Sequence, residues 1–259
     1  MRMDSRLDIL RGSLQTFLLA IGLNCASLAL PQEVGTADSL ATEPVTAAVV
    51  QLLAVGPGAE DKNRECAATG FLVNEDGYLL TNAHVIADAR GCLAASPGTK
   101  IMAKLARPGA RAAPAVSCDV VGLDDLHDLA LLKTERALEG ERPAYARLDP
   151  AEIAEGTAVA VTGHPAFAWH PTTQKGRVIR RAALGLSEKS KEKSAVIVLD
   201  IPLERGASGS PVFLQAGGGV VGIVERQNPA RPSETVAVPI RYAIELLNRW
   251  RVQWYSAPR

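Results

Sequence analysis

Short apolar runs, bounded by glycine, proline, asparagine or aspartate, recur along most of the chain. Runs of this length with these boundaries are typical of β-strands rather than helices. A first set of strands is predicted at 45–52, 67–73, 78–81, 101–106, 115–122 and 128–133. A second set is predicted at 157–162, 176–183, 195–201, 210–214, 219–224 and 234–239. Many short strands without helices between them favour barrels or sandwiches over βαβ units.

Two further segments complete this organisation. Residues 136–155 contain Pro143 and Pro150 and are predicted to connect the two sets of strands. The tail from residue 240 has apolar residues at the spacing of an amphipathic helix. They are Ile240, Ile244, Leu247 and Val252.

The N-terminus has the three parts of an export signal. They are basic residues (Arg2, Arg6 and Arg11), an apolar core at 14–23, and small residues at Ser27 and Ala29. We therefore predict a signal peptide at 1–29, cleaved after Ala29, and a flexible lead at 30–44. The mature chain would be periplasmic or secreted. The alternative is an uncleaved segment that anchors the chain.

Composition narrows the function classes. The chain is 47% hydrophobic and only 4% aromatic, which suits a core of aliphatic side chains. Its length accommodates two domains of about 100 residues each. The formal net charge is zero, so no global field attracts nucleic acid or acidic membranes. We expect no nucleic-acid partner and no stable membrane association after signal cleavage. The oligomeric state is not indicated.

Three motifs each bring one reactive side chain beside a predicted strand: T-N-A-H-V at 81–85, D-L-A-L-L-K at 128–133 and G-A-S-G-S-P at 206–211. They supply His84, Asp128 and Ser208. A serine hydroxyl becomes a nucleophile when an imidazole takes its proton, and a carboxylate orients that imidazole. Small residues around Ser208 would let backbone N–H groups face a developing oxyanion. The motifs therefore predict a serine hydrolase.

The order of the three residues narrows the class further. All four histidines precede Ser208, whereas an α/β-hydrolase needs a histidine after its nucleophile. A subtilisin-like order needs a carboxylate before His84, and Asp61 and Asp76 lie in turn-like sequence. The order His, Asp, Ser is that of the chymotrypsin-like peptidases.

Around these motifs the sequence resembles the chymotrypsin-like serine peptidases, most closely the bacterial HtrA-like (Deg) and V8-like branches. The resemblance rests on residues 69–85, 128–133, 206–213 and 220–224 and extends over roughly 45–250. It implies an all-β fold of two six-stranded antiparallel β-barrels with a C-terminal α-helix. The first barrel would cover 45–135, the second 156–239, and the helix and tail 240–259. No PDZ module is expected.

The resemblance implies a serine endopeptidase that acts on proteins or peptides without a cofactor or metal. His84, Asp128 and Ser208 would form the triad, and the backbone N–H groups of Gly206 and Ser208 the oxyanion hole. Two alternatives stay open: a catalytically silent binding module with this fold, and an esterase that uses the same triad.

The family pattern also suggests a substrate pocket, lined here by Pro202, Leu203, Val224 and Val236. No charged residue lies among them, so we predict a preference for small or medium apolar residues before the scissile bond. Ala207 stands where trypsin-like zymogens carry aspartate, so trypsin-style activation is not expected. Glu225 stands where the family usually has a small polar residue. A second carboxylate near Asp128 would raise the pKa of one of the two.

Cysteine usage leaves one question open. Signal cleavage removes Cys25 and leaves Cys66, Cys92 and Cys118. In an oxidising compartment one disulfide plus one free thiol is expected, with the pairing undetermined. The cysteines and histidines lack the close pairs of a zinc site.

Overall fold

The computed structural model describes residues 45–55, 67–87, 100–105, 114–136, 138, 143–186 and 191–258. The predicted signal peptide (1–29), the lead (30–44), Cys66 and Cys92 lie outside these residues.

The first set of strands closes into a barrel. The strands are β1 (Val49–Val55), β2 (Ala67–Leu72), β3 (Tyr78–Thr81), β4 (Lys100–Leu105), β5 (Val116–Asp124) and β6 (Leu129–Thr134). Their order is β1-β2-β3-β6-β5-β4, and β1 pairs antiparallel with both β2 and β4. A short helix, α1 (Ala83–Ala87), follows β3. It begins where β3 leaves the sheet, beside the turn between β5 and β6.

The second set forms another closed barrel. The strands are β7 (Ala158–Gly163), β8 (Thr172–Leu184), β9 (Ser194–Leu199), β10 (Pro211–Leu214), β11 (Val220–Gln227) and β12 (Thr235–Pro239). Their order is β10-β11-β12-β9-β8-β7, all antiparallel. A 3₁₀ turn at Pro165–Phe167 links β7 to β8. These two six-stranded barrels, with the terminal helix α2 (Ile240–Arg249), confirm the predicted fold class.

Aliphatic side chains fill both barrels, as the composition predicts. One apolar cluster fills the second barrel and includes Val161, Leu199 and Val224. A larger cluster runs from the first barrel to the buried face of α2, where Leu246 and Leu247 are fully buried. No helix among the described residues is long and apolar enough to cross a membrane.

Several element boundaries differ from the predicted ones, and three of them show why. Residues 45–48 are helical rather than the start of a strand. Strand β8 begins at Thr172, because Thr172–Gln174 pair with the end of β7 although they are polar. Strand β11 continues through charged residues to Gln227 by way of a β-bulge. Backbone pairing sets these boundaries, and the apolar pattern does not record it.

Candidate active site

A histidine and an aspartate meet at the edge of the first barrel. The Nδ1 atom of His84 lies 2.6 Å from Oδ2 of Asp128, and the backbone N–H of His84 donates to Oδ1 at 2.8 Å. The Asp128 side chain is 6% exposed and the His84 side chain 34% exposed. Bonding Nδ1–H to a buried carboxylate fixes the tautomer that leaves Nε2 as the basic nitrogen.

The backbone around Asp128 explains its orientation. Asp128 has φ +55°, the left-handed conformation that aspartate and asparagine adopt more readily than most residues. Its carbonyl accepts hydrogen bonds from the N–H of Ala83 and from Nδ2 of Asn82, both at 3.1 Å. Asn82 is fully buried. It therefore positions the Asp128 backbone, a role that sequence reasoning missed although Asn82 lies inside the T-N-A-H-V motif.

Ser208 lies in a tight loop between β9 and β10. Gly206 and Gly209 have φ of +92° and +85°, values that suit glycine. The N–H of Gly209 donates to the carbonyl of Val224 at 2.9 Å, and that of Ser210 to Ala207 at 3.0 Å. The Ser208 hydroxyl donates to the carbonyl of Glu225 at 3.0 Å. The loop is thus anchored on β11.

A residue of the first barrel holds the same loop from the other side. The N–H of Thr69 on β2 donates to the Ser208 carbonyl at 2.9 Å, and its hydroxyl donates to the Gly206 carbonyl at 2.9 Å. The same hydroxyl accepts the N–H of His164 at 3.0 Å. Thr69 is fully buried, so these bonds are shielded from water. Sequence reasoning also missed this residue, which gives no signal beyond standing in the T-G-F-L-V run.

The hydrogen bonds of the Ser208 loop show which of its backbone N–H groups already have an acceptor. Of the loop amides, those of Ala207, Gly209 and Ser210 donate to carbonyls. Within the described part of the chain, neither the Gly206 nor the Ser208 N–H has an intramolecular acceptor. Both N–H groups are therefore free to donate to an oxyanion, which is what the predicted role requires.

Glu225 brings a third ionisable group to the site. It is 4% exposed and has a carboxylate oxygen within 4.8 Å of ligand-type atoms of His84 and Asp128. Burial raises the pKa of Glu225 to about 7, with a further increase from Asp128 and an opposing effect of Arg226. The sequence predicted a raised pKa for either Asp128 or Glu225, and it is Glu225 whose pKa is raised.

One imidazole nitrogen and two carboxylate oxygens could also serve as zinc ligands. They belong to His84, Asp128 and Glu225. However, the Arg226 guanidinium lies 2.5 Å from Glu225 Oε1, and His84 and Asp128 are hydrogen-bonded to each other. Because these side chains are bonded to one another and to Arg226, we assign none of the three as a metal ligand. The absence of a metal requirement remains a prediction.

A second histidine–aspartate pair lies next to the first in sequence. Nδ1 of His127 is 2.9 Å from Oδ2 of Asp124, and the His127 ring stacks on Tyr242 of α2 at 3.8 Å. The His127 side chain is only 13% exposed. His164 is fully buried, and desolvation lowers its pKa to about 4. It is therefore neutral at physiological pH.

The predicted pocket residues fall in different surroundings. Leu203 and Val224 belong to the cluster inside the second barrel, together with Ala237. Pro202 is exposed, and Val236 packs in the larger cluster instead. The strand register explains this, because Val224 pairs with Ala237 across β11 and β12 whereas Val236 pairs with Arg226. Ala237 therefore shares the face of Leu203 and Val224.

Cys118 is a free, buried thiol on β5. Burial raises its pKa to about 12, so it is an inert core residue. Neither pairing that involves Cys118 is formed. A bridge between Cys66 and Cys92 stays a prediction.

Sequence comparison shows which known proteins this chain is similar to. The model of the trypsin-like peptidase domain family matches residues 68–223. A protein of Pseudomonas fluorescens, described as "probable periplasmic serine endoprotease DegP-like", is 31% identical over 195 residues, which cover 73% of this chain and 36% of the relative. A protein of Pseudomonas putida with the same description is 31% identical, with the same two shares. The chain thus spans about a third of the length of these curated relatives.

Solved structures give the same fold. The Rv3671c protease of M. tuberculosis in its active form superposes with a TM-score of 0.63 at 18% identity, covering 83% of this chain and 86% of that one. A serine endoprotease of Yersinia pestis gives 0.61 at 20% identity, covering 84% and 68%. With the family model matching more than half of its residues, this chain belongs to the trypsin-like peptidase family.

Proposed function

We propose that the chain is a serine endopeptidase in which His84, Asp128 and Ser208 form the catalytic triad. The observation that carries the proposal is the bonding of His84 to the buried Asp128 carboxylate. The Ser208 loop supports it, because its hydroxyl bonds to the backbone of Glu225, whose carboxyl group lies beside the same pair.

The geometry supports an acyl-enzyme mechanism. Nε2 of His84 takes the Ser208 proton as Oγ attacks the substrate carbonyl, while Nδ1–H remains bonded to Asp128 and the carboxylate stabilises the imidazolium. The Gly206 and Ser208 amides donate to the oxyanion that forms. His84 then gives its proton to the leaving amine. A water molecule, deprotonated by the same imidazole, hydrolyses the ester on Ser208.

A fluorophosphonate probe tests the proposal directly, because it labels only a serine whose hydroxyl is activated. We expect stoichiometric labelling of the purified mature chain and none of Ser208→Ala. Ser210→Ala is the matched control, since Ser210 is buried two residues away and its hydroxyl has no partner in the described part of the chain. Its labelling should equal that of the wild type.

The alternatives give different outcomes. A folded wild type that takes up no probe would contradict the proposal and favour the binding module. Labelling together with ester hydrolysis but without peptide hydrolysis would favour the esterase.

We further propose that the residue before the scissile bond is small or medium and apolar. Leu203 and Val224 would line the pocket together with Ala237, and Pro202 its rim. An unpaired charge in such a pocket costs several kcal/mol, so peptide amides ending in Ala, Val or Leu should exceed those ending in Arg or Glu by about 10²-fold or more in kcat/KM. Equal or faster cleavage after Arg or Glu would overturn this specificity.

We also propose that the chain is exported. The curated relatives described as periplasmic support this, as does the basic and apolar N-terminal sequence. Mass spectrometry of the exported chain distinguishes cleavage after Ala29 from retention of an anchoring segment. The expected substrates are proteins or peptides.

A further inference from the structure

Glu225 is hydrogen-bonded to Ser208 and lies close to His84 and Asp128, the three residues of the proposed triad. It lies at a β-bulge of β11, where the pairing with β12 shifts between Val224 and Arg226. Bulges next to active sites re-aim individual side chains. The Glu225 carbonyl accepts the Ser208 hydroxyl, and its carboxyl group lies within 4.8 Å of ligand-type atoms of His84 and Asp128.

The Glu225 carboxyl group is only half satisfied. Oε1 accepts a hydrogen bond from Nη1 of Arg226 at 2.5 Å, whereas Oε2 is buried without a partner in the described part of the chain. The Arg226 side chain is 39% exposed, so water screens its charge. Arg226 therefore neutralises the carboxylate incompletely, and the remaining charge acts on the other groups nearby.

Three charged or titratable groups face Glu225: Arg226 on the same strand, and Asp128 and His84 of the first barrel. Burial holds the pKa of Glu225 at about 7. Glu225 therefore changes charge near neutral pH, and its carboxyl group lies close to the imidazole of His84. Groups this close titrate together, so a change in one alters the proton affinity of the other.

We propose that Glu225 is a positioning residue whose negative charge sets the proton affinity of His84. When ionised, Glu225 stabilises the imidazolium, both in the resting protein and in the transition state. When protonated, it removes that stabilisation. This inference rests on the proposed function and deepens it, since it assigns to Glu225 a part in the reaction beyond the three triad residues.

The test is the isosteric variant Glu225→Gln, with all samples in EDTA so that no divalent cation binds the three groups. Removing a negative charge 4–6 Å from a base should lower the pKa of His84 by about one unit. It is measured by NMR titration of the His84 ring. The acid limb of the pH profile for fluorophosphonate labelling should move down by the same amount. The plateau rate should fall about tenfold, because the imidazolium of the transition state loses the same interaction.

Glu234→Gln is the matched control. Glu234 is another buried carboxylate of the second barrel, and it bonds to Arg180, Arg231 and Asn228. This variant removes one negative charge from the same barrel without touching the triad, and the pKa of His84 should stay at its wild-type value. A His84 pKa that is unchanged or raised in Glu225→Gln would overturn the proposal and leave Glu225 only as the partner of Arg226.

The NMR measurement is independent of turnover. A protein that takes up no probe but shows the lowered His84 pKa in Glu225→Gln would contradict the proposed function and support the coupling. The wild type provides a second measurement if Glu225→Gln does not fold. Its His84 titration curve should be broader than that of one isolated group, because His84 and Glu225 titrate as a pair, and a curve with the shape of one isolated group would overturn the coupling.

Discussion

Replacing Asp128 by asparagine is expected to lower kcat/KM at neutral pH about 10⁴-fold while leaving the fold intact. Asparagine tolerates the left-handed backbone of this position as well as aspartate does, and its Oδ1 still accepts the His84 backbone N–H. Its amide group then faces Nδ1 of His84 and requires that nitrogen to be an acceptor. The ring proton moves to Nε2, which can no longer take a proton from Ser208. Steady-state peptide hydrolysis measures the loss.

The second histidine–aspartate pair provides the control for this experiment. Asp124→Asn makes the same chemical change in a pair that is four residues away in sequence and hydrogen-bonded at a similar distance. Its kcat/KM should remain within about threefold of the wild type, as for a substitution outside the reacting groups. Activity that survives in Asp128→Asn and is lost in Asp124→Asn would reverse the assignment of the two aspartates.

Gly209→Ala is expected to lower the free energy of unfolding by about 3 kcal/mol and the activity by at least about 10²-fold. The left-handed backbone of Gly209 costs a residue with a Cβ about 1–2 kcal/mol. A Cβ atom here would also overlap the carbonyl of Thr69 and the hydroxyl of Thr81, and such overpacking costs about 1–3 kcal/mol. Relief of the overlap displaces the Ser208 loop, and a shift of about 1 Å is enough for this loss of rate.

Gly217→Ala separates the two causes. Gly217 has nearly the same φ, +81°, but nothing lies within 4 Å of its would-be Cβ. The Gly217→Ala variant should lose about 1 kcal/mol in free energy of unfolding and keep full activity. Thermal unfolding and peptide hydrolysis measure both variants. Equal losses in the two variants would mean that backbone strain alone, and not contact with Thr69, governs the loop.

The strands were predictable because they are short apolar runs that end at turn residues. Strand β3 has the bounds that the pattern gives, Tyr78–Thr81. Closure of each set into a barrel came from the family resemblance, since apolar periodicity does not distinguish a barrel from a sandwich. The start of β8 at Thr172 was not predictable, because polar residues become strand there only through pairing with β7.

The residues of the candidate site also include some that the sequence predicts and some that it does not. His84 and Asp128 stand in recognisable motifs and meet as expected. Thr69 acts on residues far away in sequence, and its contacts form only once the two barrels are docked. Val236, predicted beside Val224, lies in the other apolar cluster for a different reason. A bulge inserts one extra residue, and a shift of one residue exchanges the two faces of a strand.

The bonds from Thr69 to the Ser208 loop cross from one barrel to the other. The second barrel alone would carry the proposed nucleophile but lack the partners that shape its loop, and the first barrel alone would carry the proposed base but have nothing to deprotonate. Two fragments divided within 136–155 would therefore regain chemistry only by reassociating. Turnover by the proposed triad would then measure the fraction of molecules in which the two barrels are docked.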